Sequence, residues 1–490
     1  MKKDILLDYS LLLGLLFLLV FLKLGSHHLH WWDESIFAVN SIEMMESKSW
    51  WAPLFNGDFD PFNTKPPLVN WFQILSMKSF GISEFSIRFP SAIAAALTVL
   101  VVFRFLKRNF NALLAWSTAL FLITSQGFIG YHAARTGDSD SMLTLFLCLS
   151  FLSFLTYLLE NKKRSIIFFF VFMGLAFSTK LFAALLFLPG ILGVLIWKKN
   201  LKRFIGNQYF LLGLGFCMLI VALILGPRLF MDANYLASIL TYDAGRIFIN
   251  YDSSGLSYSY YIDHLFSFRF NFGAFFTFLG MGMFLFKTEL SYRLKTMLGA
   301  SVILSTAYLI IITLAPTKHI WYDVPVLPIF SIIAGICLYT SIAKFKLVKV
   351  QWLPLFLFIY PLYFGFRCAQ SNEISQEQKK LEANEMYLFD AYKKSRNIDG
   401  LKVLYSGWER GLLFYQKKFE LTRNQNIELL KSLENVKAGD KLLVSDDALN
   451  TKVNTDFQTE LVEENDNSRV YLILASTRNY DTDIGLEKLP

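Results

Sequence analysis

"ILLDYSLLLGLLFLLVFLKLGSHHLHWWDESIFAVN", residues 5–40, joins two kinds of chain that seldom sit side by side in a soluble domain. Residues 5–24 are apolar for about the 20 residues that a helix needs to cross a bilayer. Directly beyond them come His27, His28 and His30, two tryptophans, and the adjacent carboxylates Asp33 and Glu34. Lys2 and Lys3 ahead of an apolar run look like the start of a secretory leader, but "KLGSHHLHWW" offers no good small-residue cleavage site. The run reads as a retained first span. The acidic pair reads in three ways: a helix start with Asp33 as N-cap and Glu34 favouring the helix dipole, a solvated loop, or the acidic centre of an active site.

The rest of the chain repeats the apolar pattern. Its 490 residues are 54% hydrophobic and only 18% charged, with a mean hydropathy of +0.41, which leaves too little charge to cover a soluble surface. Apolar runs at approximately 5–24, 89–106, 112–130, 141–159, 165–179, 181–197, 209–226, 269–286, 296–314, 325–343 and 350–367 predict a polytopic α-helical membrane protein of eleven spans. The positive-inside rule supports that map. With the N-terminus cytoplasmic, the inner loops hold Lys107 and Arg108, "NKKR" (161–164), "WKKNLKR" (197–203), "KTELSYRLK" (287–295) and "AKFKLVK" (343–349). The outer loops are richer in acids and aromatics and hold all six histidines. The formal charge of +8 is dispersed among these short clusters, so it reads as topology and excludes nucleic-acid binding. Cys148, Cys217 and Cys337 lie in apolar runs, with no disulfide framework or CxxC pair.

After about residue 370 the composition turns polar. Strand-like runs 401–406, 441–445 and 470–476, with a helical pattern over 424–436, predict a small α/β domain over 370–490, behind a membrane domain over 1–369. An odd span count puts this domain on the extracytoplasmic side, with the aromatic loops.

Several charged residues share that outer side. Lys65 stands before Pro66 and Pro67, which stiffen the chain ahead of an amphipathic helix carrying Leu68, Trp71, Phe72 and Leu75. A cation on such a hinge suits a lipid phosphate, or is a lysine snorkelling to the interface. "ARTGDSD" brings Arg135, Asp138 and Asp140; its D-x-D spacing suits a divalent metal or a helix cap. Lys180 lies between two spans, where it needs an anion or the interface. Lys318 and His319 close the outer set, with Arg246 and His264 in the long loop 227–268.

The ordered motifs D-E (33–34), W-x-x-P-x-x-N-G (50–57), K-P-P (65–67) and G-x-x-E-x-x-x-R-x-P-S-A (81–92) resemble one family's first outer loop, about 25–88 here, and its continuation. That family is the bacterial branch of the protein O-mannosyltransferase and aminoarabinose (lipid A) transferases, polytopic glycosyltransferases of the GT-C fold. "ARTGDSD" and "TKHIWYDVPVLP" are similar to two later family segments, so the resemblance covers about 1–370. It implies a polyprenyl-phosphate-linked sugar donor and inverting transfer at the outer face of the cytoplasmic membrane, to an acceptor lipid, glycan or protein. It assigns Asp33 as general base, with Glu34 beside it, and Lys65 to the lipid phosphate; Arg88 matches the arginine before P-S-A, as a further donor contact or as a tie to a carboxylate such as Glu84. Arg135, Lys180, Arg246, Lys318 and His319 are the remaining donor-side candidates. No resident cofactor is required; a divalent metal is allowed, with Asp138, Asp140 and His264 as its ligands. Two rival readings of the layout are a lipid or sugar carrier without chemistry, and an enzyme that moves whole oligosaccharides.

Overall fold

The computed structural model describes residues 2–30, 32–245, 257–344, 353–370, 376–465 and 467–477. Among the described residues, six helical runs are long and apolar enough to cross a membrane: Glu84–Asn109, Asp140–Glu160, Ser165–Trp197, Gln208–Met231, Tyr292–Leu314 and Ile320–Lys344. Leu6–Phe21, Ala112–Ile123 and Asn271–Leu285 are shorter apolar helices. Together they form a polytopic membrane bundle. The expected spans 165–179 and 181–197 are two arms of the single run Ser165–Trp197, broken at Leu181, whose φ is +41°. One arm packs on Asp140–Glu160 and Gln208–Met231, the other on Tyr292–Leu314. Gly190 permits the second contact, since a Cβ there would lie 2.6 Å from the Leu304 Cα. The loop at 343–349 and the start of the expected span 350–367 lie largely outside the described residues; short helices Leu353–Leu357 and Ile359–Gln370 follow.

The first outer loop folds into helix Asp33–Ser47, a short hairpin of β1 (Leu54–Phe55) and β2 (Asp58–Phe59), and helix Leu68–Phe80. The last buries Leu68, Val69, Ile74 and Met77 and turns Phe72, Leu75 and Phe80 outward, the division expected of a helix lying in a membrane interface.

The C-terminal part is a five-stranded sheet of order β4-β3-β5-β7-β6, formed by β3 (Leu401–Leu404), β4 (Ile427–Leu430), β5 (Lys441–Val444), β6 (Phe457–Asn465) and β7 (Ser468–Ser476). Strands β4, β3 and β5 are parallel; β7 is antiparallel to both β5 and β6. The stretch 424–436, helical by pattern, contains strand β4. The preceding helix Arg410–Arg423 ends on left-handed Asn424 (φ 53°), and the Ile427–Leu430 backbone then pairs with β3. Its apolar spacing serves both structures, and the long-range pairing decides between them.

Buried ion pairs fasten this domain to the first outer loop. Arg410 grips the carboxylate of Asp60, which also accepts from Asn40 Nδ2 at 2.8 Å and from the Phe62 amide at 2.9 Å. Lys418 binds Glu84 at 2.7 Å, and His28 meets Glu382 at 2.7 Å. Burial alone would raise the Asp60 carboxyl, yet Arg410 and the other donors hold it below the usual carboxylate range. Arg410→Ala leaves that charge buried and unpaired, at a cost of about 3–5 kcal/mol. The expected result is a lower melting temperature and faster proteolysis within 376–477. Unchanged melting would show that the pair does not hold the domain.

Candidate functional site

Asp33 is the first residue of its helix. Trp32 holds the cap position and makes no side-chain cap hydrogen bond, so Asp33 is not the N-cap. Its carboxylate lies 3.9 Å from His132 Nδ1, which is also 3.6 Å from Asp138 and 3.9 Å from Asp140. The imidazole is 1% exposed and sits in a loop at φ +58°. Its ring stacks on Trp321 at 3.7 Å and 9°, and Trp321 stacks on His319 at 4.7 Å. His132 Nδ1 and both Asp138 carboxylate oxygens are buried without a hydrogen-bond partner among the described residues.

These groups tune one another. Burial pushes the Asp138 carboxyl up to about 6; His132 opposes the rise, and Asp33 and Glu34 add to it. Burial would depress His132, but the surrounding carboxylates, Asp138 foremost, raise it. Candidate ligand atoms of Asp33, His132 and Asp138 all lie within 4.8 Å of one another. Two carboxylates and an imidazole, with His132 Nδ1 and the Asp138 oxygens without a partner among the described residues, fit a divalent cation. That set differs from the one expected from sequence. Asp140 is taken by Lys180, whose Nζ lies 2.7 Å from both carboxylate oxygens, and His264 Nδ1 turns to the Tyr260 carbonyl at 2.7 Å.

Glu34, one residue along, faces elsewhere. It accepts from Arg88 Nε at 2.7 Å, Arg88 Nη2 at 2.9 Å, the Gly137 amide at 2.8 Å and the His30 amide at 2.9 Å. Arg88 also donates to the carbonyls of Leu24, His27 and His28. All five of its N–H groups are thereby engaged, leaving none for a lipid phosphate. Arg88 is a tie within the loop, and its carboxylate is Glu34; Glu84 belongs to Lys418. Arg135 is likewise committed. It donates to the carbonyls of Leu19, Val20, Leu22 and Lys23, which satisfies the open end of the first span.

Lys65 sits differently. It is 8% exposed, and no carboxylate among the described residues pairs with it. Arg228 holds its loop by donating to the carbonyls of Asn63 at 2.8 Å and Asp60 at 2.9 Å, and the Tyr235 hydroxyl donates to Thr64 at 2.8 Å. Lys65 lines a cavity with Asp140 and Lys180, while Leu143, Phe182 and Ile312 supply apolar wall. Lys318 bonds the Ala315 carbonyl at 2.9 Å near this cavity, and Arg246 lies outside the described residues. His132 and Trp321 were not singled out by sequence, and Arg228 stood out only as one charged residue of the loop 227–268. His132 carried only the weak signal of an outer-loop histidine six residues before Asp138.

The family described as dolichyl-phosphate-mannose-protein mannosyltransferase matches residues 64–225. The undecaprenyl phosphate-alpha-4-amino-4-deoxy-L-arabinose arabinosyl transferase of Pseudomonas savastanoi pv. phaseolicola is 30% identical over 202 residues, 40% of this chain and 37% of that protein. The protein of the same name from Yersinia pestis (strain Pestoides F) is 33% identical over 201 residues, 39% of this chain and 35% of that protein. The matches thus span about a third of the length of these curated relatives. The crystal structure of ArnT from Cupriavidus metallidurans bound to undecaprenyl phosphate superposes with a TM-score of 0.71 at 15% identity, covering 96% of this chain and 98% of that one. Fold and bundle therefore define a polytopic membrane protein of the GT-C class. Within that fold, residues 64–225 match the mannosyltransferase family, and about two fifths of the chain is similar to the arabinosyl transferases.

Proposed function

We propose that this protein is an integral-membrane glycosyltransferase. It moves a sugar from a polyprenyl-phosphate donor to a hydroxyl or phosphate of lipid A, a glycan or a protein. Transfer takes place at the outer face of the cytoplasmic membrane, with the N-terminus inside and the domain after residue 370 outside. The observation that carries this reading is the continuity of two environments. Asp140 lies 3.9 Å from His132 of the acidic cluster and 2.7 Å from Lys180, and it shares a cavity wall with Lys180 and Lys65. A carboxylate cluster adjoining an apolar-walled cavity, in which Lys65 has no carboxylate partner among the described residues, suits an anionic lipid carrying a reactive sugar.

In this mechanism the acceptor oxygen attacks the anomeric carbon and its proton passes to the Asp33 carboxylate. The bond from the anomeric carbon to the phosphate oxygen breaks, and its electron pair leaves on the polyprenyl phosphate. Attack opposite the leaving group inverts the anomeric centre. Lys65, with Lys180 behind it, stabilises the charge that develops on the phosphate.

The direct test uses purified protein in lipid nanodiscs with a radiolabelled polyprenyl-phosphate sugar. Release of polyprenyl phosphate with sugar on an acceptor or on water is expected. A bound but intact donor would point to a carrier, and activity only on lipid-linked oligosaccharides would point to block transfer. Losing one charge-assisted hydrogen bond of about 1.5–3 kcal/mol, Lys65→Ala should raise the KM for donor by about 10- to 100-fold with little change in melting temperature. An unchanged KM would remove Lys65 from the phosphate contact.

A further inference from the structure

The C-terminal sheet changes direction between β3 and β5. From β3 the chain passes through helix Arg410–Arg423 to β4 on one side; from β5 it passes through helix Asp447–Asp456 to β6 and β7 on the other. In open α/β sheets the crevice outside the carboxyl ends of two such strands is where ligands bind. Here that crevice is a cavity of about 330 Å³, within the usual range for ligand pockets of about 300–1,000 Å³. Asn384, Glu385, Ser406, Trp408, Ser445 and Asp447 line it.

Its walls contain unused hydrogen-bonding capacity. Asn384 is 5% exposed, and its Oδ1 is buried without a partner among the described residues; the same holds for Trp408 Nε1. Burial raises the Glu385 carboxyl to about 8, so at neutral pH it is mostly a neutral donor. Trp408 stands between this crevice and the first outer loop, its ring 4.7 Å from Trp32 and 5.7 Å from Phe62.

The charges select among ligand classes. A helix N-terminus next to a crevice normally suits a phosphate. Here Asp446 already accepts from the Ala448 and Leu449 amides at the start of helix Asp447–Asp456, which occupies the N–H groups an anion would use. Asp446 and Asp447 outweigh Lys380 on the wall, and they repel anions. A hydroxyl-bearing ring instead finds on the lining the Ser445 hydroxyl, the Ser406 hydroxyl that donates to Asp446 at 3.2 Å, and the Asn384 and Trp408 side chains, with an indole at one side.

We propose that this crevice binds a neutral or amino-bearing sugar ring, as a carbohydrate site separate from the Asp33 centre. It goes beyond the transferase reading and does not depend on it.

The test uses the full chain in lipid nanodiscs, free of sugar-headed detergents. Methyl glucoside, methyl glucosaminide and glucose 6-phosphate serve as probes, with binding read by saturation-transfer NMR and tryptophan fluorescence. The first two should bind saturably and the phosphate at least tenfold more weakly. Ser445→Trp should lower that binding at least tenfold while hydrolysis of the lipid-linked donor by water continues. Asp447→Lys, at the exposed rim, should remove any preference for the amino sugar over the neutral one. Absence of saturable binding to either sugar, equal binding of the phosphate, or undiminished binding in Ser445→Trp overturns the proposal. If Ser445→Trp does not fold, an unchanged preference in Asp447→Lys overturns it. Sugar binding by a protein that releases no sugar from its donor would defeat the transferase reading alone; the converse would defeat this site alone.

Discussion

Asp33→Asn is expected to lower the turnover of sugar transfer by about two to four orders of magnitude, the usual share of a general base. Melting should be close to that of the parent protein. The amide keeps the shape of the side chain and removes its ability to take a proton. Little stability is at risk, because Asp33 is not the cap of its helix and lies in a group with Asp138 and His132. Removing one negative charge there relieves like-charge repulsion on Asp138, whose carboxyl is already pushed up to about 6. The KM for donor should move little, since Lys65 and the apolar cavity wall are untouched. The measurement is single-turnover transfer from a labelled donor beside a thermal melt of the same sample. Asp138→Asn is the comparison. A larger loss there than at Asp33 would move the base to Asp138, and parental turnover in Asp33→Asn would remove Asp33 from the reaction.

The contrast between Asp33 and its neighbour marks where sequence reading stops. Membrane spans are legible because lipid demands long apolar runs, and the alternation of basic loops checks their number. Lys65 stood out because two prolines fix the chain after it, and Lys180 because a lysine between spans needs an anion or the interface; the anion it meets is Asp140. The helix places successive side chains about 100° apart, so Asp33 and Glu34 point to different surroundings. Which surroundings they meet depends on Arg88 and Gly137, 54 and 103 residues away from Glu34. Nothing local distinguishes a phosphate-binding arginine from Arg88 or from Arg135, which closes the end of the first span. The Asp60–Arg410 pair spans 350 residues and was equally invisible. In the C-terminal domain the spacing over 424–436 suits a helix, and only the presence of β3 alongside makes it a strand.

Glu34→Gln should therefore damage the fold where Asp33→Asn does not. Glu34 is 1% exposed and accepts four hydrogen bonds, two of them from Arg88. In glutamine one carboxylate oxygen becomes an NH2 that must face either Arg88 or an amide N–H, donor against donor. The buried guanidinium is left without a counter-charge, and such losses cost about 3–5 kcal/mol against a total stability of about 5–15 kcal/mol. Faster proteolysis within residues 25–88 and a large fall in melting temperature are the expected signs. The pH dependence gives a second readout. Burial would raise the Glu34 carboxyl, but Arg88 more than offsets this and holds it below its usual value. A depressed folded-state pKa stabilises above the unfolded value of about 4.3, and that stability is lost as pH falls through the folded value. The parent should lose stability on acidification more steeply than Glu34→Gln. Glu34→Leu combined with Arg88→Met removes both charges together, and it should recover much of what either single change loses. If Glu34→Gln instead melted like the parent while losing transfer, Glu34 would belong to the chemistry and not to the scaffold that holds Asp33 in place.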